Sequence, residues 1–348
     1  MRWREVIAAA APHGLAPLCG SSSDAGVVGF TLGGGAGPIG RAHGFAADHV
    51  RRVELVTAAG EVLDVDADTE PELFWALRGC KGNFGIVTEL EFGMPAVETL
   101  YGGGVFFAGQ DAPTLLHAFR TWAPDLPEDT STSIALLRLP PDPAMPEPIR
   151  GQFVVHLRFT HLGDAARGAE LLAPMRAAAV PVLDAVGDMP YTALDSIHMD
   201  PPEPLPYCEE GATLTDLPEG AVEAILATVG PGAAGNPPDM VEIRLLGGAF
   251  GRPAAVPNAV ARRDSAYLLF VLAVTAGPAA ATAPAAVRAV VDGLAPWATG
   301  SGLLNFLGCA QPDHVRALWP ADDRERLRAV KRRLDPENMF CFGPDLTY

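Results

Sequence analysis

The stretch GSSSDAGVVGFTLGGGAGPIGRAHGFAAD, residues 20–48, is the most informative part of this 348-residue sequence. Glycine recurs through it at a density that costs backbone entropy and weakens regular helices and strands. Such density is useful where the backbone must turn with positive φ or approach a ligand closely. Small polar side chains at residues 21–24 can hydrogen-bond a polar ligand. The stretch therefore indicates either a ligand-binding loop or a glycine-rich tight turn without a ligand.

The triple glycine at residues 33–35 does not fit the common dinucleotide fingerprint. The pattern G-x-G-x-x-G requires a strand before it and a helix after it. Pro38 and Gly40 follow the triple glycine and prevent a clean helix start. A Rossmann-type site is therefore disfavoured, whereas consecutive main-chain N–H groups can still bind phosphate without a lysine.

The residues after this stretch predict a short strand–helix–strand unit. Alternating apolar positions in VRRVELVTAAGEVLDV (residues 50–65) predict a hairpin that turns at Gly60. The segment PELFWALRG (residues 71–79) has helical spacing, with proline at its start and glycine at its end. Residues 85–94 then alternate as a strand.

From residue 96 onward the pattern predicts an antiparallel sheet with helices on it. The predicted strands are residues 151–160, 240–250 and 265–276. The predicted helices are residues 164–177, 285–298 and 322–335. We therefore expect the α+β class.

Composition excludes several classes of partner. The net charge of −17 disfavours a nucleic-acid backbone or an anionic membrane as partner. The sequence contains no run of 18 apolar residues, so it predicts no membrane-spanning helix. The five cysteines are scattered without a C-x-x-C pair, which argues against a disulfide framework or a zinc site. Without a signal peptide at the start, we expect a cytoplasmic protein.

Two further segments are unremarkable when each is taken alone. WALRGCKGNFGIVTELEF (residues 75–92) reads as a helix-to-strand connection, and RRLDPENMF (residues 332–340) reads as a helix stop. Together with the glycine stretch, and in this order, they resemble the berberine-bridge-enzyme-like branch of the vanillyl-alcohol-oxidase family. The segment VEIRLLGGAFGR (residues 241–252) is part of the same resemblance.

The resemblance implies a fold and a cofactor. Residues 1–95 would be the C-terminal part of a PCMH-type FAD-binding domain, and residues 96–310 a substrate domain with an antiparallel sheet backed by helices. Residues 311–348 would be the C-terminal segment that returns to the FAD domain. The cofactor-binding residues that it implies are Gly20, Ser21, Ser22, Ala25, Gly26, Val27, Gly29, Phe30, Gly33, Gly34, Gly35, Asn83, Gly85, Ile86, Val87, Asn338 and Phe340.

The departures from the family pattern concern the flavin attachment and the catalytic base. Family members usually begin earlier, so we expect an N-terminally truncated member, and a partner chain could supply the absent segment. Neither His13 nor His43 lies in the motif of the flavin-linked histidine, and Ser22 stands where many members have a cysteine. We therefore expect non-covalent FAD. Leu303 replaces a tyrosine found in many bacterial relatives, whereas Asn305 is retained.

For the chemistry, Glu242 and Arg244 share one face of a predicted strand by their period of two. Together with Asn305 they are the candidate catalytic residues, although such a pair is commonly a salt-bridged structural face. Other titratable candidates, for each of which a structural role is favoured, are Tyr207, Tyr267, His156 and His161.

The leading hypothesis is an FAD-dependent oxidoreductase that takes a hydride from a small hydroxylated compound or secondary metabolite, with O2 as an expected acceptor. Two alternatives stay open. One is a truncated or decayed member that binds FAD weakly or not at all. The other is a ligand-binding module without redox activity.

Overall fold

The computed structural model describes residues 1–201, 203–300, 302–308 and 312–346 of the chain. The strands in this part are β1 (Val50–Val56), β2 (Val62–Val65), β3 (Ile86–Phe92), β4 (Thr99–Ala108), β5 (Thr130–Arg138), β6 (Phe153–His161), β7 (Pro181–Asp184), β8 (Gly187–Pro190), β9 (Tyr207–Leu214), β10 (Met240–Leu245) and β11 (Tyr267–Val274). The helices are α1 (Trp3–Ala10), α2 (Val27–Leu32), α3 (Gly40–His43), α4 (Pro71–Cys80), α5 (Ala112–Trp122), α6 (Ala165–Ala178), α7 (Asp195–His198), α8 (Glu219–Val229), α9 (Ala283–Gly293), α10 (Pro312–Arg316) and α11 (Ala321–Leu334).

A small antiparallel sheet follows the glycine stretch. Its strand order is β2–β1–β3, and the predicted hairpin pairs Val56 with Val62. Gly60 in the turn has φ of 78°, which glycine adopts without strain. Val53 and Leu55 are fully buried against α4, so the hairpin, helix and strand predicted for this region are confirmed.

A large antiparallel sheet forms the middle of the chain. Its strand order is β7–β4–β6–β5–β10–β11–β9, and β8 also pairs with β4. Alternate residues of the central strands, such as Leu157, Ile134 and Ile243, are buried in one apolar core with α5, α6, α8 and α9. The α+β class, with an antiparallel sheet backed by helices, is confirmed.

Several predicted elements are shorter than the sequence pattern indicated, and for two of them a glycine or a proline gives the reason. The strand predicted for residues 240–250 ends at Leu245, because Gly247 and Gly248 have φ of 74° and 54°, which a strand cannot contain. The helix predicted for residues 285–298 ends at Gly293. Pro296 lies in a separate 3-10 turn there, since proline cannot continue the helical hydrogen bonding.

Helix α11 returns to the first part of the chain and packs on α4. Arg326 binds Glu72 through two hydrogen bonds of 2.6 and 2.7 Å and lies over the ring of Trp75. The division at residues 95 and 310 stays a prediction, and residues 310 and 311 lie outside the described part. No helix within the described ranges is both long and apolar enough to cross a membrane.

Candidate active site

The large sheet has a polar face opposite its apolar core, and this face carries the charged candidates. Because side chains alternate along a strand, Glu242 and Arg244 point to the same face of β10. The same period places His156 and Arg158 on that face of β6. The strand between them, β5, has only Ser133 and Ala135 at the facing positions. These small side chains leave room for the long ones of the flanking strands to meet.

Glu242 is the centre of the resulting charge cluster. Its carboxylate accepts hydrogen bonds of 3.2 and 3.1 Å from Arg244, and it lies 3.3 Å from Nη1 of Arg158 on the other side. The side chains of Glu242 and Arg158 are each only 3% exposed. Burial alone would raise the pKa of Glu242, but the two guanidinium groups outweigh it and hold this pKa well below its usual range. Glu242 is therefore ionised and a weak base.

Two histidines complete the cluster in their neutral forms. Burial and the neighbouring Arg158 lower the pKa of both His156 and His198 well below the usual value. The ring of His156 stacks on Phe106 and its Nδ1 accepts from Arg158, so its proton lies on Nε2. Gly104 on β4 makes room for this ring, because a Cβ there would lie 2.1 Å from Nε2.

The other titratable candidates lie away from this cluster. Tyr267 is buried in the apolar core, where burial raises its pKa to about 12. Tyr207 is half exposed at the start of β9. His161 is buried, and its Nδ1 shares a 2.9 Å hydrogen bond with the Thr130 hydroxyl. The structure thus groups His156 with Glu242 and Arg244 and leaves the other three apart.

The first half of the glycine stretch presents bare backbone at the surface. Gly26 precedes α2 and Gly29 lies within it, both are exposed, and a Cβ on either would meet nothing within 4 Å. The intervening Val27 is buried under them. A ligand can therefore approach the α2 backbone closely at these positions.

The loop before α2 is held by its neighbours. Gly20 is buried against the ring of Phe30. Ser21 and Ser22 are partly exposed, and the Ser22 hydroxyl accepts from the N–H of Asp24. Ser23 donates hydrogen bonds to the Asp195 carboxylate, and the Trp3 N–H donates one to the Ala25 carbonyl.

The triple glycine lies inside the protein. Gly34 and Gly35 have φ of 107° and 78°, and their carbonyls accept from Ala47 and Ala46 at 2.9 Å. A Cβ on Gly33 would lie 2.0 Å from the Asn305 side chain and 2.3 Å from that of Lys81. Asn305 in turn donates to the carbonyl of Phe30 at 2.8 Å. The structure thus brings Asn305 and the glycine stretch together.

The turn after α4 and the C-terminal tail meet at one buried ion pair. Lys331 donates to Asp335 at 2.7 Å, to the Asn83 carbonyl at 2.9 Å and to the Phe340 carbonyl at 2.7 Å. The Asp335 carboxylate also accepts from the N–H groups of Met339 and Phe340, at 2.8 Å each. Two sequence-predicted site residues, Asn83 and Phe340, are therefore held side by side.

The remaining predicted residues lie around this junction. A Cβ on Gly85 would lie 2.5 Å from the Val56 carbonyl, so the turn passes directly over β1. Ile86 is 62% exposed, whereas Val87 packs partly buried on the small-sheet core. Asn338 is exposed with φ of 52°, a left-handed conformation that asparagine tolerates.

Two arginines join the glycine stretch to the large sheet. Arg244 donates to the Ala36 carbonyl at 3.1 Å. Arg41, itself buried, donates to the carbonyls of Thr130 and Leu126 at 2.8 and 2.9 Å and also to that of Leu246. The charged face of the sheet and the glycine stretch therefore lie next to each other.

The sequence analysis missed four residues that shape this site. Arg158 lies two residues after His156 on a predicted strand. This spacing equals that of Glu242 and Arg244, so the same reasoning could have identified Arg158. Lys331 and Asp335 are spaced by four on one helix face, which is a recognisable ion-pair spacing. No sequence signal points to His198, which reaches the cluster only through packing of α7.

Comparisons with known proteins show which family the chain is similar to. A family model described as "FAD binding domain" matches residues 1–66, and one described as "Berberine and berberine like" matches residues 304–344. The chain is 28% identical to (R)-6-hydroxynicotine oxidase of Paenarthrobacter nicotinovorans, over 97% of this chain and 73% of that protein. It is also 28% identical to an FAD-linked oxidoreductase of Bacillus subtilis, over 95% of this chain and 72% of that protein. The solved structure of 6-hydroxy-D-nicotine oxidase from Arthrobacter nicotinovorans superposes with a TM-score of 0.83 and 25% identity, over 99% of this chain and 76% of that one.

Proposed function

Since the chain belongs to the berberine-bridge-enzyme-like FAD-linked oxidases, we propose that it is an FAD-dependent oxidoreductase that oxidises a small organic molecule. FAD, when bound, supplies the hydride-accepting N5 atom and passes the electrons to an acceptor, for which we propose O2. The observation that carries the proposal is the bare backbone at Gly26 and Gly29, inside the segment that matches an FAD-binding domain.

The residues present fit the cofactor. The exposed face of α2 would hold FAD by close backbone approach, with the triple glycine behind it. The turn at Asn83–Val87 and the tail residues Asn338 and Phe340 would form the second wall, fixed by the Lys331–Asp335 pair. Apolar side chains lie exposed near this wall: Ile86 at 62% and Met339 at 59%. Such apolar surface is suited to cover an aromatic ring.

We propose that the cofactor is bound without a covalent link. Burial raises the pKa of Cys19 to about 12, so this thiol stays protonated and unreactive. By the family resemblance Ser22 stands where many members have a cysteine, and its hydroxyl accepts a hydrogen bond from the N–H of Asp24.

The residues of this chain would have separate roles at the site. Glu242, kept ionised by its arginines, would hold Arg158 and Arg244 in position instead of removing a proton. Asn305, anchored on the Phe30 carbonyl, would place an amide group between the glycine stretch and the substrate side. We propose a division into FAD-binding, substrate and C-terminal segments at residues 95 and 310. A cytoplasmic location stays a prediction, which cell fractionation tests.

Titration of the purified chain with FAD tests the proposal. Binding is followed by quenching of FAD fluorescence and by the absorbance of the complex. Gly29→Leu covers the exposed backbone with a side chain whose Cβ meets nothing within 4 Å, and it replaces a helical glycine by a better helix former. We expect this variant to fold normally and to bind FAD at least about tenfold more weakly, which corresponds to about 1.4 kcal/mol.

The matched control is Gly293→Leu, which changes a second exposed glycine with open space around it, at the end of α9. It should leave FAD affinity unchanged. A wild-type chain that neither quenches FAD fluorescence nor becomes coloured would contradict the proposal and support the alternative of a member without FAD binding. Flavin that remains with the acid-precipitated protein would contradict non-covalent binding.

A further inference from the structure

The charged face of the large sheet borders a partly open cleft that is lined by two arginines. The cleft lies between Pro38 of the glycine stretch and the strands β5, β6 and β10. Arg158, His198 and Arg244 line it together with Ser131 and other small polar residues. Its walls also include the apolar side chains of Ile197 and Phe250.

Several buried donors in and beside this cleft have no hydrogen-bond partner. Nη1 of Arg158 faces Glu242 at 3.3 Å without hydrogen-bond geometry. Nε2–H of His156 is likewise an unpartnered donor, and the neutral ring of His198 has one unpartnered N–H and one unpartnered acceptor nitrogen. A buried donor left unsatisfied costs about 1–3 kcal/mol, so several together are expensive unless a ligand satisfies them.

The charges do not balance either. Within the described residues the cluster sets two guanidinium groups, Arg158 and Arg244, against the single carboxylate of Glu242. His198 lies 3.9 Å from that carboxylate and is neutral. One positive charge is therefore left over in a site where all three charged side chains are at most 10% exposed. A monoanion would neutralise it.

We propose that this cleft binds the carboxylate of the substrate, so that the oxidised molecule is a small organic acid. A carboxylate carries the single negative charge that is needed, and its two oxygens match the paired donors of a guanidinium. Ile197 and Phe250 line the cleft and favour an aromatic or branched acid. This inference rests on the proposed oxidoreductase function, since it names the class of substrate for that same site.

Calorimetric titration with benzoate tests the charge preference, with benzamide as the uncharged molecule of the same shape. Both are titrated into the full chain, with and without FAD. We expect benzoate to bind about tenfold or more tightly than benzamide, as expected for hydrogen bonds to a charged group. Equal affinity for the two would overturn the assignment, as would inorganic phosphate binding more tightly than benzoate.

Two variants, one that removes a positive charge and one that removes a negative charge, distinguish a ligand site from a cluster that only supports the fold. Arg158→Gln removes the surplus charge and should weaken benzoate binding about tenfold. Glu242→Gln removes the carboxylate that competes with benzoate for the arginines. This variant should therefore bind benzoate more tightly, although it loses the same ion pairs as Arg158→Gln. A cluster that only supports the fold would lose benzoate binding in both variants. Arg158→Lys keeps the charge and should retain part of the affinity, which keeps the test valid if Arg158→Gln unfolds.

The control is Arg120→Gln, which removes one positive charge from α5, away from the cleft. It should leave the preference for benzoate unchanged, and an equal loss there would show a general effect of charge and overturn the proposal. FAD binding is scored separately by absorbance. A chain that binds FAD but prefers neither ligand refutes only the carboxylate site. A chain that prefers benzoate but binds no FAD refutes the proposed function and keeps the site.

Discussion

The ion pair between Lys331 and Asp335 ties the C-terminal tail to the turn after α4, and its removal should loosen both. The side chains of Lys331 and Asp335 are 5% and 0% exposed. Lys331 reaches the Asn83 carbonyl across 248 positions of sequence, so the pair links distant segments. Asp335→Asn is the sharpest perturbation, because it keeps the shape and removes the charge.

The magnitude follows from the groups that are left behind. Breaking a buried pair by removing one partner costs about 3–5 kcal/mol, because the other charge stays buried without compensation. Lys331 would retain two carbonyl acceptors in Asp335→Asn, at 2.9 and 2.7 Å, so we expect the lower end, about 3 kcal/mol. Lys331→Met should cost a similar amount. The double variant should cost about 1–3 kcal/mol less than the sum of the two, as expected for groups in contact.

Urea unfolding of the four proteins, followed by circular dichroism, measures these differences. The control on the same helix is Arg332→Gln, which breaks an exposed pair with Glu325 and should cost less than about 1 kcal/mol. Loss of the buried pair should also weaken FAD binding, because Asn83 and Phe340 lose their common anchor. Additive effects in the double variant, or a cost for Asp335→Asn no larger than that of the surface control, would refute the reasoning.

Three further predictions concern groups outside this pair. Burial raises the pKa of Glu209 to about 7 despite the Gly308 N–H and Lys81, so the folded state keeps a proton that the unfolded chain releases. Stability should therefore fall as pH rises from about 4.5 to 7, by on the order of 3 kcal/mol, and Glu209→Gln should flatten this slope in urea titrations at several pH values. Burial raises the pKa of Cys19 and Cys80 to about 12, whereas Cys341 is exposed. Cys341→Ser should remove one thiol that reacts rapidly with Ellman's reagent at pH 8. Cys80→Ser should leave the number of rapidly reacting thiols unchanged, because Cys80 is buried. Cys309 lies outside the described residues. Arg41→Met should lower the free energy of unfolding by about 3 kcal/mol because buried carbonyls lose their donor, and a loss as small as that of the exposed Arg51→Met would contradict this role.

The sequence was sufficient for features that depend on neighbouring residues. The hairpin at residues 50–65 and helix α4 were predicted because their periods and turn residues lie within one segment. The shared face of Glu242 and Arg244 also followed from strand period alone. Elements without a clear local period were not predicted, among them β4, β5, β9, α5 and α8. Strand β4, for example, is buried along almost its whole length and shows no alternation.

The assignment of roles required contacts between distant segments. From the sequence, Glu242 was expected to pair with Arg244 alone. In the sheet, β6 lies two strands from β10, and its Arg158 becomes the second partner of Glu242. The glycines looked equivalent in sequence, yet Gly26 and Gly29 are exposed while Gly34 and Gly35 are packed inside. Whether a glycine serves a ligand or the protein's own packing depends on what lies opposite it.

The sequence by itself determined the fold class, the order of its local elements and the family resemblance, because these reside in periodicity and in motifs that short segments carry. Only the tertiary structure decided which charges meet across β5, which glycines remain open and how the C-terminal tail is anchored. The physical reason is that burial and charge compensation are set by the surroundings of a side chain, and those surroundings come from strand pairing between residues far apart in the chain.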